Sequence, residues 1–273
     1  MSRKLRIYVI GAGKVGTALS RALRAAGVTV TLRAARKGAP RGPIGSDLLI
    51  LAVRDGQLDR LVRDLLDQGS VDRRTAVVHC AGALGPESLA PLRDVSAGVA
   101  QMHPMISFAS TKVGPTLARG HVNVDGDRAA VRVAARAARL LGMSPRSLPE
   151  LDKVVYHATA GLVANGAAAL AAAGTELLEQ AGVAPKLAAR MLGPLLRSVA
   201  DNVERLGLPG ALTGPVRRGD AQGVKRHLEV IERRCPDLAP LYRALVLAQI
   251  PLARKLGDAP PAALDAVEGL FRR

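Results

Sequence analysis

Gly11-Ala12-Gly13-Lys14-Val15-Gly16 is a G-x-G-x-x-G run set between the β-rich segment Ile7-Tyr8-Val9-Ile10 and an amphipathic helical segment. In that setting the glycines permit a tight turn, close approach of a pyrophosphate, and close helix–strand packing. The amides that open the helix would face the phosphates. Gly11, Gly13, Lys14, Val15 and Gly16 are therefore cofactor-binding candidates; the other reading is a βα turn with no ligand. An NAD site places Asp or Glu roughly 20 residues past the glycines to hold the ribose hydroxyls. Here the segment is Thr31-Leu32-Arg33-Ala34-Ala35-Arg36-Lys37, with no acid. Arg33 is suited to lie over the adenine or grip a 2′-phosphate, with Arg36 or Lys37 adding charge. The expected cofactor is NADP(H), unless these are solvated loop charges. Ala52 and Val53, which close the apolar run DLLILAV, complete the cofactor set.

Proton chemistry centres on Gln101-Met102-His103-Pro104-Met105-Ile106-Ser107-Phe108. A histidine at the end of a strand, where such sheets bind ligands, can exchange a proton with a carbonyl or hydroxyl. His103 is the candidate acid/base and Ser107 a candidate substrate contact, although a lone His before Pro is often structural. His157 and Asn165 are eight residues apart, about two helical turns, so they share a helix face with the small residues Gly161, Ala164 and Ala168. A buried His–Asn pair there would face a cleft and serve the chemistry, or make a helix–helix contact. Thr213 and Arg218 lie in the rigid turn TGPVRRGD, where arginine can bind a substrate carboxylate or cover a surface, and Asp220 can cap a helix. His79 and Cys80 have no evident base or second ligand, and no metal-binding spacing, Walker loop or G-x-S-x-G is present.

The elements that must position these groups fall into two halves. To about Pro149, short β-rich runs alternate with helical stretches, as in a parallel sheet of βαβ units. Strands are expected over residues 6–10, 28–32, 47–53, 75–80, 98–102, 122–124 and 145–148. Helices are expected over 15–26, 57–66 (with Asp55 as cap) and 128–141. Beyond that point the β signal vanishes. Helices are expected over 151–180, 185–206, 221–234 and 238–256, with a short one after Pro261. The fold class is α/β: a Rossmann dinucleotide-binding domain at 1–149, then an all-α substrate or dimerisation domain at 150–273.

With 273 residues, 48% of them hydrophobic and 23% charged, the chain has the composition of an ordinary globular protein. Two cysteines cannot form a disulfide framework or a Cys-rich zinc site. The net charge of +16 raises nucleic acid as a partner. Against it, the 39 basic residues are dispersed and aromatics are only 2%, too few for a stacking platform. The positive field suits an anionic cofactor and a small anionic substrate. The longest unbroken apolar stretch, Ala167–Gly174, is far short of the ~20 residues of a membrane span. No signal-peptide pattern opens the chain, so a cytoplasmic address is expected. The Ala-rich faces of the two long helices suit either a homodimer seam or one buried core.

GAGKVG, DLLILAVRD, VVHCAGALG, MHPMISF, YHATAGLVANG and ALTGPVRRGD…HL together resemble the bacterial proteins that join a Rossmann-like domain to a carboxy-terminal domain of unknown function, DUF2520. The resemblance spans nearly the whole chain, and its fold is similar to 6-phosphogluconate, pyrroline-5-carboxylate reductase and prephenate dehydrogenase relatives. It implies a helical domain that dimerises and closes over the nicotinamide. By the likeness to prephenate dehydrogenases, whose His-Pro segment carries the catalytic histidine, it promotes His103. Ala81 departs from the serine expected in many relatives, which leaves no hydroxyl for a Ser–His pairing. The implied activity is an NADP(H)-dependent oxidoreductase for a small anionic keto or hydroxy acid, of the ketopantoate-reductase kind. The alternatives are a cyclic-imine reductase and a non-catalytic NADP-binding sensor or scaffold.

Overall fold

The computed structural model describes residues 4–148 and 150–271; Met1–Arg3 and the expected boundary at Pro149 lie outside the described residues. Contacts divide the chain into two compact units, up to Ala164 and from Asn165 on.

The first unit is built from β1 (Arg6–Ile10), α1 (Lys14–Ala25), β2 (Thr29–Arg33), β3 (Leu48–Leu51), α2 (Asp55–Asp67), β4 (Ala76–His79), β5 (Gly98–Pro104), β6 (His121–Gly126), α3 (Arg128–Leu140), β7 (Ser144–Arg146) and the start of α4 (Lys153–Gln180). Among the described residues the strands form one sheet in the order β2-β1-β3-β4-β5-β6-β7. β2 through β5 are parallel. The order reverses direction between β1 and β3, where open α/β sheets bind ligands at the carboxyl edge. One expectation of all-parallel pairing is corrected, because β6 runs antiparallel to β5. The chain between them, residues 105–120, forms no helix, whereas parallel neighbours are usually joined by a crossover helix. β7 follows α3 and is again parallel to its neighbour.

Side chains alternate across the sheet with the strand period of two. Ile7, Val9, Leu48, Ile50, Val78, Ala100, Met102, Val122 and Val124 face the core beneath α1 and α3. Leu49, Leu51, Val77 and Val99 face α2 and the 3-10 segment Pro86–Val95. On that second face the lining becomes polar toward the far strands: His79, Gln101, His103, Asn123 and Asp125 replace aliphatics. Lys153, in the first turn of α4, meets this row through a 2.7 Å ion pair with Asp125 that is largely shielded from solvent. Asp55 does not cap α2 as expected. Arg54 occupies the cap position and Asp55 lies inside the first turn, where its charge suits the positive end of the helix.

The second unit holds the remainder of α4, then α5 (Pro185–Leu206), α6 (Gly214–Arg217), α7 (Ala221–Arg234), α8 (Ala239–Leu256) and α9 (Pro261–Gly269). Asp220 caps α7 by accepting from the Gly223 N–H at 2.8 Å. The core is Val216, Val224, Val246, Ile250, Ala253, Leu264 and Val267, from α6 to α9. α5 contributes one buried residue, Ala188. Its Leu187, Met191, Leu195, Val199, Val203 and Leu206 recur every three or four residues, a single stripe left exposed. α4 has no buried residue. By length and composition alone it is also long and apolar enough to cross a membrane, which corrects the sequence reading based on unbroken apolar runs.

Gly126 tests how tightly the antiparallel pair is built. Its φ is +143°, and a Cβ there would lie 2.6 Å from Ala100 Cα and against the Val99 carbonyl oxygen. Gly126→Ala is expected to cost about 2–4 kcal/mol, measured as a lower urea midpoint with the unfolding slope unchanged.

Candidate active site

The glycine turn works by exclusion at two positions and by openness at the third. Gly11 has φ +119°, and its N–H donates to the Arg33 carbonyl at 2.8 Å. A side chain on Gly11 would collide with the Ala52 carbonyl, and one on Gly16 would collide with the Gly11 carbonyl. Helix α1 is thereby drawn down onto β1 and β3. Gly13 differs: nothing lies within 4 Å of where its Cβ would be, and no side chain caps α1. The first amides of α1 thus open onto free space, the arrangement an anionic diphosphate requires.

Two cavities lie along the carboxyl edge of the sheet. One, of about 320 Å³, is bordered by Val15, Ala52, Val53, Asp55, His103 and His157, with Ile106 and Phe108 supplying apolar wall. The other, of about 470 Å³, lies between the Ala35–Lys37 turn and α2 and includes Arg36 and Arg60. Val53 borders both cavities, one on the Arg36 side and the other on the His103 side.

His103 ends β5 with its Nδ1 3.1 Å from the Cys80 carbonyl oxygen. A carbonyl only accepts, so Nδ1 carries the proton and Nε2 keeps a lone pair. Burial lowers the His103 pKa below its ordinary value, and neighbouring His157 pushes it the same way. The His157 and Tyr156 rings meet it edge-on, with centroids 5.6 and 5.7 Å away. Gly82 makes the pairing possible: a Cβ there would fall 2.8 Å from His103 Cε1 and overlap the His157 ring.

The loop carrying Gly82 is moulded by side chains from the polar face of the sheet. Fully buried His79 accepts from the Ala81 N–H at Nδ1 (3.2 Å) and donates from Nε2 to the Gly85 carbonyl (2.9 Å). Both ring nitrogens are satisfied in the neutral form, and burial lowers the pKa accordingly. The Gln101 amide donates to the carbonyls of Ala81 (2.9 Å) and Leu84 (2.7 Å), while Asn123 donates to Gln101 Oε1 (3.2 Å). Burial pushes the Cys80 thiol up to about 12, so it stays protonated near pH 7.

Of the residues singled out in the sequence, Val15, Ala52, Val53, His103 and His157 border one cavity and Arg36 borders the other. Arg33 is half-buried, and its guanidinium donates to the Gly38 and Lys37 carbonyls at 2.8 and 2.7 Å. Lys14 is exposed at the start of α1, and Ser107 is exposed between Ile106 and Phe108. Asn165, Thr213 and Arg218 belong to the second unit and are exposed. The expected buried His–Asn pair is corrected: both His157 and Asn165 are exposed, because α4 buries no side chain. Tyr156, Gly82, Gln101, Asn123, Asp125 and Lys153 were not anticipated. The available signal was polar–apolar alternation in QMHP and NVD, within strands whose neighbours are uniformly apolar.

Residues 39–104 match the model of a Rossmann-like domain, and residues 121–249 match the domain of unknown function DUF2520. No curated protein matches the sequence. Similar solved structures include a Thermotoga maritima protein, 22% identical with a TM-score of 0.65 over 91% of this chain and 98% of that one. A Bacteroides fragilis protein named as a candidate NADP oxidoreductase is 20% identical, with a TM-score of 0.69 over 90% and 98%. A pyrroline-5-carboxylate reductase from Coxiella burnetii is 18% identical, with a TM-score of 0.55 over 93% and 99%. At these identities the likeness establishes the fold: a Rossmann sheet followed by a helical region. The two matches lie in the order of a Rossmann-like domain followed by a DUF2520 domain.

Because His79 and His103 are held below 6.5, the folded protein takes up fewer protons than the unfolded chain as pH falls through that value. Their contribution is present above pH 6.5 and is lost below it, by at most about 1.4 kcal/mol per pH unit for each histidine. Urea midpoints should therefore drop between pH 7.5 and 5.5, and less steeply in His79→Gln. A flat wild-type profile would contradict the neutral assignment.

Proposed function

We propose that this protein is an NADP(H)-dependent oxidoreductase acting on a small anionic keto or hydroxy acid, a class that includes ketopantoate. The observation that carries this reading is the uncapped start of α1, whose Val15 lines the same cavity as His103 with its Nε2 acceptor. Gly11, Gly13, Lys14, Val15 and Gly16 hold the diphosphate, Ala52 and Val53 form the floor, and Arg33 and Arg36 stand at the adenosine end. The bound nicotinamide supplies the hydride chemistry.

The chain's own part is proton handling and orientation. Nδ1 of His103, fixed by the Cys80 carbonyl, leaves Nε2 to take the proton of a substrate hydroxyl, or to return it once protonated. The lowered pKa keeps the ring in its neutral, proton-accepting form near pH 7. His157 packs beside it and orients the reacting group, while Ile106 and Phe108 exclude water. In this reading Ser107, beside Ile106 and Phe108, contacts the substrate. A cytoplasmic address and no nucleic-acid partner belong to the same reading.

One observation favours a second substrate class. The 320 Å³ cavity has no arginine or lysine in its lining, which suits a cyclic imine as well as a keto acid. Rates on a panel of keto acids, hydroxy acids and cyclic imines separate the two.

NADPH at 100 times its Kd is expected to stabilise the protein by about 2.7 kcal/mol, seen as a higher Tm, with a much smaller shift for NADH. His103→Ala is expected to retain the NADPH shift and lose about 10²–10⁴-fold in turnover. Full turnover in that variant removes His103 from the mechanism; a nucleotide shift with no turnover on any substrate moves the protein to the sensor class.

We also propose that α4 and α5 form a homodimer seam. The exposed stripe from Leu187 to Leu206 is a helix face of the kind that ordinarily meets another helix. Light scattering should give twice the chain mass, and Leu195→Glu should give the monomer mass.

A further inference from the structure

We propose that Arg60 of α2 is a cofactor-specificity residue, which with Arg36 clasps the 2′-phosphate of NADP(H) while Arg33 holds the turn that presents them. The proposal rests on the dinucleotide reading above and adds a residue from a different element.

Arg33 is already committed. Its Nε and Nη2 donate to two successive carbonyls, Gly38 and Lys37, which closes the Ala35–Lys37 turn from inside. That bracing sets Arg36 at the rim of the 470 Å³ cavity. Arg60 reaches the same cavity from the opposite wall, one turn beyond Gly56 and Gln57 on α2. Both arginines are exposed, and neither has a carboxylate partner or hydrogen bond among the described residues. Arg93, Arg217 and Arg254 differ in this respect, being paired with Asp127, with Asp258, and with Asp265 and Glu268. The one acid in the lining, Asp64, leaves it with a net positive charge.

The position suits the adenosine end of a dinucleotide. In a sheet ordered β2-β1-β3, that half of the cofactor lies on the β2 side of the glycine turn, and Val53 lines both this cavity and the one at His103. A phosphate dianion offers several acceptor oxygens, and two guanidinium forks from separate elements can engage it together. NADH carries a ribose hydroxyl there and no acid follows β2 to hold it, so Arg60 discriminates by charge.

The test is calorimetric titration of NADPH, NADH and adenosine 2′,5′-bisphosphate into wild type, Arg60→Ala, Arg60→Lys and Arg33→Ala. Arg60→Ala should weaken NADPH and the bisphosphate by about 10–100-fold and leave NADH within about 2-fold. Arg60→Lys, which keeps the charge without the fork, should fall between. Arg33→Ala should weaken NADPH and NADH together and lower the Tm, since it dismantles the turn. If wild type prefers NADPH and Arg60→Ala binds it unchanged, the proposal fails while the dinucleotide reading stands. If wild type binds neither nucleotide, the dinucleotide reading itself fails.

Discussion

The carboxyl edge of the sheet is organised by backbone contact between two turns. The β1–α1 connection lies directly on the end of β3, and the contact exists because Gly11 and Gly16 carry no side chain where the Ala52 and Gly11 carbonyls stand. From it follow the height of α1 over the sheet, the outward direction of its first amides, and the position of Val53 in the lining of two cavities. A methyl group at either glycine would lift the helix. Gly13, between them in the motif, has no neighbour within 4 Å of where its Cβ would be and so no packing role in the chain itself.

The second constraint is the change of polarity across one face of the sheet. Beneath α2 the face is aliphatic; toward the carboxyl ends of β4 and β5 and across β6 it carries His79, Gln101, His103, Asn123 and Asp125. Buried polar groups are costly unless paired. Most of these are paired, and the pairs do work on the site: His79 and Gln101 shape the Cys80–Gly85 loop, whose Cys80 carbonyl in turn fixes the His103 tautomer. The Lys153–Asp125 ion pair ties the first turn of α4 to the same row, three residues before Tyr156 and four before His157. A neutral, oriented histidine results from these backbone and side-chain contacts without a carboxylate bonded to its ring.

Features that depend on local chemistry were legible in the sequence. The glycine turn, the buried strands 48–51 and 76–79, the helix at 185–206 beginning at Pro185 and ending at Gly207, and the Asp220 cap all lie where their residue types require. Features set by tertiary placement were not. The antiparallel turn of β6 depends on what the 105–120 segment lacks, and the 3-10 path of Pro86–Val95, with Pro91 in its interior, accompanies the packing of Leu89 and Leu92 against the α2 side of the sheet. His103 was visible as a histidine at a strand end. That Gln101, two residues earlier, builds the neighbouring loop is a fact about carbonyls some twenty residues away in sequence, which no local pattern encodes. The burial expected of His157 and Asn165 failed for a related reason: small residues on a helix face say that something can approach, not that anything in the same unit does.

The central claim is that the carboxyl edge of the sheet at the glycine turn is a nicotinamide dinucleotide site with His103 at its reactive end. Diffraction from crystals grown with saturating NADP+ bears on it most directly. The expected result is density for the diphosphate over Gly13 at the start of α1, with the nicotinamide in the cavity bordered by His103 and His157. A structure with that site empty at saturation, or with the nucleotide bound elsewhere, would contradict it.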